Sequence, residues 1–418
     1  MSPKKNSYKK NVIKQLYFAQ ALSCAEISEK IDKSLPLTTK ILNELIEEDY
    51  ITENGFAPSS GGRRPITYSL KQGILYVVAI ATDQFVTRIA IMDMQNRYVT
   101  QVEKFDLVLA HNPLALATLA EKINGHIQAS GIPKNKIAAI GIGMPGFIDA
   151  QRGINYTFLE APYGSIPTYI TQKTGLDTFI DNDSSLIALA ELRFGAAINK
   201  ANAMVINIGW GVGLGLVLEG KLFRGANGFA GEFSHIPIFS NNRLCSCGKK
   251  GCLETETSLS VIVEKARQGL AKGQISILAG HLNTPNTEYA FTEIIKAAHN
   301  GDQFAIELFS EASYNIGRGV AILIHILNPE TIILSGRGSL AGKIWKAPIQ
   351  QAINELCIPR LSESIEIEVS ILGYHAELIG AAALVMENYE TKADEKAVIE
   401  GDLKLQQETN GTVVPISI

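Results

Sequence analysis

Three cysteines crowd into Cys245-Ser246-Cys247-Gly248-Lys249-Lys250-Gly251-Cys252, and His235 stands ten positions upstream. Three thiolates and one imidazole form a soft donor set suited to tetrahedral Zn2+, and the glycines let a short loop turn around an ion. Four protein ligands leave no open coordination position, so zinc at His235, Cys245, Cys247 and Cys252 would be structural rather than hydrolytic. The alternative is a reduced surface loop beside an incidental histidine. Five cysteines in 418 residues are too few for a disulfide scaffold. A second group with chemical potential is Ser59-Ser60-Gly61-Gly62-Arg63-Arg64-Pro65, which places two guanidinium groups on a flexible tip.

Charge and spacing say what must hold that tip. Residues 1–72 carry eleven Lys/Arg against eight Asp/Glu, net +3, while the remaining 346 residues carry net −7. A small basic module is thus attached to a larger acidic body. Val12, Ile13, Leu16 and Tyr17 recur at helical spacing. Ser23-Cys24-Ala25-Glu26 reads as a capping box opening a helix through Ile31. Ser34 can cap a third helix with Pro36 in its first turn and Ile41, Leu42, Leu45 and Ile46 on its apolar face. The opposite face is expected to carry Thr38, Thr39, Lys40 and Asn43. The alternating Ile66-Thr67-Tyr68-Ser69-Leu70 completes a hairpin around the arginines. Three helices and a basic hairpin describe a winged helix-turn-helix, with Ser34, Thr38, Thr39, Lys40, Asn43, Arg63 and Arg64 as candidate DNA contacts. A protein-binding three-helix module is the alternative.

At roughly 100–200 residues per domain, the chain should hold more than one unit. Its body alternates strands and helices, an α/β pattern. It also repeats itself: the strand pair Leu75–Ala81 and Thr87–Met92 returns as Met204–Ile208 and Gly213–Leu218. A helix should follow Asn182-Asp183, another should occupy about 304–327, and the tail from Lys392 is polar. The longest apolar run, Ile74 to Ala81, falls well short of the ~20 residues that cross a bilayer. A cytoplasmic protein without membrane insertion is expected.

Gly231-Glu232-Phe233-Ser234-His235, Cys-x-Cys-Gly-x-x-Gly-Cys-x-Glu ending at Glu254, and Ile208-Gly209-Trp210-Gly211-Val212-Gly213-Leu214-Gly215 together resemble the ROK family of repressors and sugar kinases. The resemblance runs over roughly residues 75–390, and the Gly-Gly-Arg-Arg-Pro wing resembles that of the repressor branch. It implies an N-terminal winged helix-turn-helix followed by an α/β two-lobed, actin-like sugar-kinase fold. The implied division is 1–72 for the DNA-binding domain, 73–198 and 199–375 for two lobes, 376–392 for a helix returning to the first lobe and 393–418 for an extension. The implied sugar site is Gly146, Asn182, Asp183, Glu232, His235 and Glu254, with His235 using one ring nitrogen on zinc and the other on a sugar hydroxyl.

In a ROK kinase Asp183 would be the general base. The phosphate machinery departs from the kinase pattern, however. Ala79-Ile80-Ala81-Thr82-Asp83-Gln84 lacks the leading carboxylate and paired glycines of the first phosphate loop, and Trp210 replaces a small hydroxylated residue in the second. Asn155-Tyr156-Thr157-Phe158-Leu159 also departs from the kinases' Asn-Leu-x-Trp. The expectation is a sugar-responsive regulator, a repressor of operator DNA and a homodimer or tetramer, with structural zinc and no ATP. It would switch by cleft closure transmitted through Lys71-Gln72-Gly73. The alternatives are an active ATP-dependent sugar kinase and a regulator controlled by a protein partner.

Overall fold

The computed structural model describes residues 3–56, 65–160 and 164–389. At the N-terminus α1 (Pro3–Ala19), β1 (Leu22–Ser23), α2 (Cys24–Lys30) and α3 (Leu35–Glu47) precede β2 (Ile51–Phe56) and β3 (Ile66–Leu70), and the strands form an antiparallel sheet ordered β1-β3-β2. The capping box forms as expected. The Ser23 hydroxyl accepts from the Glu26 N–H at 3.3 Å, and Glu26 Oε2 accepts from the Ser23 N–H at 2.7 Å. Ser34 occupies the N-cap of α3 without a side-chain cap bond, so the first turn relies on Pro36 and its fixed φ.

The body consists of two five-stranded sheets of the same design. In the first, β4 (Tyr76–Thr82), β5 (Val86–Asp93) and β6 (Glu103–Asp106) run antiparallel, and β7 (Ile137–Met144) and β10 (Thr178–Asn182) add on parallel beside β4. A small hairpin, β8 (Ile148–Asp149) and β9 (Ile154–Asn155), lies between them in sequence. In the second, β11 (Ala203–Ile208), β12 (Val212–Leu218) and β13 (Lys221–Phe223) are antiparallel, and β14 (Thr331–Ser335) and β15 (Glu366–Val369) add on parallel beside β11. The orders β10-β7-β4-β5-β6 and β15-β14-β11-β12-β13 match strand for strand, so the repeated strand pair marks a full duplication. The central strands are largely apolar because helices cover both faces.

On the first sheet, α4 (Ala115–Ser130) and α5 (Ile166–Thr174) bury Leu119, Ile123 and Ile170 against one face. On the second, α8 (Leu259–Ala271), α9 (Thr287–His299), α10 (Gln303–Leu327) and α11 (Lys346–Leu356) enclose the core around Phe309 and Trp345. The short α7 (Glu254–Thr257) and α12 (Pro359–Ser362) link these elements.

Two helices set the relation between the sheets: α6 (Asp183–Phe194) and α13 (Ala376–Glu387). Leu186 and Leu189 of α6 share a cluster with α13 and β4, while Ile187, Ala188 and Ala190 share one with β11 and β14. Contact is at backbone distance. A Cβ at Gly215 of β12 would collide with Ala188 Cβ and stand 2.7 Å from Ser184 O, and one at Gly380 of α13 would stand 2.9 Å from Leu186 Cβ.

The N-terminal module rests on the C-terminal ends of these same helices. Phe194 packs on Tyr17 and Phe18 with ring centroids 5.7 and 6.0 Å apart, and the Arg193 guanidinium lies 4.5 Å from the Phe18 ring. Lys14 Nζ donates to Glu387 O at 3.0 Å, and the Tyr17 hydroxyl donates to Asn96 Oδ1. Val12, Leu16 and Leu45 consequently belong to one continuous apolar cluster with Leu378 and Met386. The connection at Lys71-Gln72-Gly73, expected to carry the coupling, is thus joined by a second, packed link between module and body.

Gly215→Val should destabilise the protein by about 3 kcal/mol, the upper range for overpacking. Gly125→Ala, where a Cβ meets nothing within 4 Å on α4, should raise stability by up to about 1 kcal/mol. Urea unfolding midpoints of the two variants test this contrast.

Candidate functional site

Between the sheets lies a cavity of about 570 Å3, and Gly146, Asn182, Asp183, Glu232, His235 and Glu254 all line it. Gly146 turns the chain after β7 at φ +88°, where a Cβ would stand 2.6 Å from Thr157 Oγ1. Asn155 secures the opposite strand of that turn. Its Nδ2 donates to Pro145 O at 3.2 Å, and its Oδ1 accepts from the N–H groups of Thr157 and Phe158, both at 2.9 Å. The segment that departs from the kinase pattern is therefore a self-satisfied turn with Tyr156 projecting from it, 53% exposed.

Asn182 is both cap and lining residue. Its Oδ1 accepts from the Ser184 and Ser185 N–H groups at 2.9 and 3.2 Å, and its Nδ2 donates to Gly146 O at 3.1 Å. Asp183 Oδ1 accepts from the Ser184 N–H at 2.7 Å, and its Oδ2 accepts from Asn207 Nδ2 at 3.3 Å. Burial, reinforced by repulsion from Asp83, raises the Asp183 pKa to about 6. Burial also pushes Glu232 up to about 7, with Asp183 and Glu254 adding repulsion. A cluster of carboxylates held in this way accepts hydrogen bonds from polyol hydroxyls.

The cysteine loop closes against this cluster. The ligand atoms of His235, Cys245, Cys247 and Cys252 all lie within 4.8 Å of one another. Sulfurs bound about 2.3 Å from a tetrahedral ion stand about 3.8 Å apart. Cys247 Sγ and Cys252 Sγ are 3.7 Å apart, and Cys245 Sγ is 3.4 Å from His235 Nδ1. The set fits a four-coordinate metal. His235 Nε2 faces the cleft, 3.6 Å from Glu232 Oε2, and Glu254 Oε2 accepts from the Val212 N–H at 3.3 Å.

Several cleft residues escaped the sequence reading. Arg337, at the end of β14, donates to Glu288 Oε1 at 2.6 Å and to Asp83 Oδ2 at 3.0 Å, with its guanidinium 4.8 Å from the Trp210 ring and 4.4 Å from the Tyr374 ring. Arg88 of β5 donates to Glu377 Oε2 at 2.9 Å, and burial raises Glu377 to about 8 despite that partner. Arg224 donates to the buried Asp181 Oδ2 at 2.6 Å, and Lys104 pairs with Glu288. The Asp83–Arg337, Asp181–Arg224 and Lys104–Glu288 pairs each join one sheet's elements to the other's. A lone polar residue in an apolar strand was the available signal for Arg88 and for Asn207.

A sequence profile of the ROK family matches residues 87–388, most of the chain. The chain belongs to the ROK family. It is 30% identical over 386 residues to a xylose repressor of Caldicellulosiruptor bescii, covering 90% of this chain and 94% of the repressor. It is 33% identical over 282 residues to a glucokinase of Halalkalibacterium halodurans, covering 66% of this chain and 84% of that enzyme. Among solved structures it resembles a ROK family transcriptional regulator, a homologue of the E. coli MLC protein, at TM-score 0.75 and 26% identity, covering 94% of this chain and 99% of that one. Against the ROK kinase pattern, Asp83 turns inward: its Oδ1 accepts from the Phe85 and Val86 N–H groups at 2.8 and 2.7 Å while its Oδ2 holds Arg337. Trp210 packs edge-on against Phe291 at 6.1 Å.

On the module, Ser34, Thr39, Lys40 and Asn43 are exposed along α3. Thr38 is not. It is fully buried, with its hydroxyl donating to Ser34 O at 3.1 Å, because position 38 falls one turn before Ile41 and Leu42 on the apolar face. Arg63 and Arg64 lie outside the described residues.

Cys247→Ser should lower bound metal from about one ion per chain to well below that, because three ligands hold a tetrahedral ion poorly. Elemental analysis of purified protein checks it, and metal-free wild type would refute the site.

Proposed function

We propose that this ROK protein is a sugar-responsive transcriptional regulator, acting as a repressor, with a kinase-like body that binds its effector and a winged helix-turn-helix that binds operator DNA. The observation that carries this reading is the extent of the repressor match. Ninety per cent coverage leaves too few residues outside it to omit the N-terminal module, and the glucokinase match covers only 66%. In this reading residues 1–72 bind DNA, with Ser34, Thr39, Lys40 and Asn43 at the groove and Arg63 and Arg64 on the backbone or minor groove. Residues 73–198 and 199–375 form the lobes, 376–392 return to the first lobe, and 393–418 extend beyond it. The metal is zinc, as three thiolates and an imidazole favour. The protein works in the cytoplasm as a homodimer or tetramer, which matches a two-fold operator. No helix among the described residues is long and apolar enough to cross a membrane.

The kinase alternative draws on Asp183 and on the glucokinase relative. Against it, phosphoryl transfer depends on backbone N–H groups and cations free to meet phosphate. Asp83 and Trp210 stand in the two stretches that depart from the kinase phosphate loops, and the Arg337 guanidinium beside them is already paired. Incubation with ATP and hexoses should give no turnover.

Switching needs an element that differs between two states and touches both sites. Both α6 and α13 begin at the cleft, with Asp183 and Glu377, and end under α1, with Phe194 and Glu387. A shift at one end of a 12-residue helix moves the other end some 18 Å away. Asp183→Ala should bind operator normally yet ignore sugar. Phe194→Ala should bind sugar normally while the usual allosteric factor of about 5- to 150-fold in operator affinity shrinks. Calorimetry of sugar with and without saturating operator decides the matter, since linkage requires the two affinities to differ. Identical affinities would refute sugar as the effector.

A further inference from the structure

We propose that the effector is an uncharged, unphosphorylated sugar and that the cleft rejects sugar phosphates. This rests on the sugar-responsive reading and narrows it by charge. A phosphate ester needs an available cation or a free set of backbone N–H groups. Among the described lining residues each Arg is already paired, and the Ser184 and Ser185 N–H groups at the start of α6 already have acceptors.

Among the described residues the cavity wall carries two arginines and no lysine. Arg337 is 5% exposed, sandwiched between Trp210 and Tyr374, and held by Glu288 and Asp83. Arg88 is 6% exposed, stacked 3.6 Å from the Tyr374 ring, and held by Glu377. Arg337 is neutralised by two carboxylates and walled by rings, and Arg88 is held by Glu377 Oε2 and Tyr374 O beneath the Tyr374 ring, so neither can swing to a ligand without leaving a buried acceptor unpaired. His235 turns Nδ1 to the thiols, and an ion of charge 2+ on three thiolates leaves that centre with a formal charge of about −1.

The helix terminus offers no substitute. The N-terminus of α6 points at the cleft, but its Ser184 N–H is taken by Asn182 Oδ1 and Asp183 Oδ1, and its Ser185 N–H by Asn182 Oδ1. What remains toward the ligand is acidic: Asp183, Glu232 and Glu254, none paired with Arg or Lys among the described residues. Acceptors of this kind suit hydroxyl donors. At an effective dielectric near 20, one like charge about 6 Å away lowers affinity roughly 100-fold.

Aromatic residues beside the cleft suit the sugar ring itself. Phe147 and Tyr156 of the first lobe meet Phe229 of the second edge-on, with centroids 5.6 and 6.1 Å apart. Aromatic rims above a polar floor suit a ring with apolar C–H faces and hydroxyl edges.

The test is calorimetric titration of the full-length, metal-loaded protein with glucose, xylose and N-acetylglucosamine, each beside its terminal phosphomonoester. At least one free sugar should bind, and its phosphomonoester should bind roughly 100-fold more weakly or not at all. A phosphomonoester that binds as tightly as its parent, or more tightly, overturns this proposal while leaving the sugar-responsive reading intact. Silence from every compound overturns both. The Asp83→Asn/Glu288→Gln double variant releases Arg337, and its discrimination should narrow at least tenfold, on the order of one restored ion pair. Unchanged discrimination in a variant with native thermal unfolding would show that the paired arginine is not the cause of rejection.

Discussion

The backbone-close seating of α6 between the two sheets is the constraint on which the rest depends. Every residue from Ser184 to Glu191 is buried, so this helix has no solvent face and must match β12 on one side and α13 on the other. The match is made by glycines, Gly215 against Ala188 and Gly380 against Leu186. Even the carboxylate in its last turns is answered: Glu191 accepts from Ser335 Oγ at 2.8 Å, from Ser370 Oγ and from the Ala196 N–H at 3.1 Å. An unanswered carboxylate there would cost several kcal/mol. A helix held so tightly moves as a rigid rod, which makes its two ends mechanically dependent.

Those ends are where the chemistry and the module sit. The N-terminus must present Asp183 to the cleft while Asn182 closes the helix and clamps the Gly146 turn. The C-terminus must present Phe194 to α1. Because α13 follows the same course from Glu377 to Glu387, the module stands on two parallel struts rather than on a linker. A shared apolar cluster, not a flexible tether, joins it to the body.

The ion pairs across the cleft act in a different register from the apolar packing. Pairs with one buried partner, such as Asp181–Arg224 and Asp83–Arg337, gain little net stability after desolvation, yet removing the exposed partner strands a buried charge. They favour one arrangement of the lobes over its neighbours, which suits a body whose state must be defined with or without ligand. The cysteine loop adds a local version of the same logic. No regular element lies between Phe239 and Cys252 to bury a core, so a metal on the His235, Cys245, Cys247 and Cys252 set would be what fixes this loop and the His235 ring at the cleft.

Much of this was written in local pattern. The capping box at Ser23–Glu26, the repeated strand pairs, the Cys3His set and the acidic residues around it depend on spacing a few residues apart, and backbone geometry converts such spacing directly into position. Local pattern failed where a face had to be chosen. Thr38 reads as polar, but the turn of α3 that buries Ile41 and Leu42 carries it inward, where Ser34 O satisfies its hydroxyl. It also said nothing of Arg337, whose partners Asp83 and Glu288 lie 254 and 49 residues away. The sequence alone determined which elements form and which residues could ligate a metal or a polyol. Only the tertiary structure decided which charges are already neutralised and that α6 ends beneath α1, because long-range pairing is set by how whole sheets stack and not by any spacing along the chain.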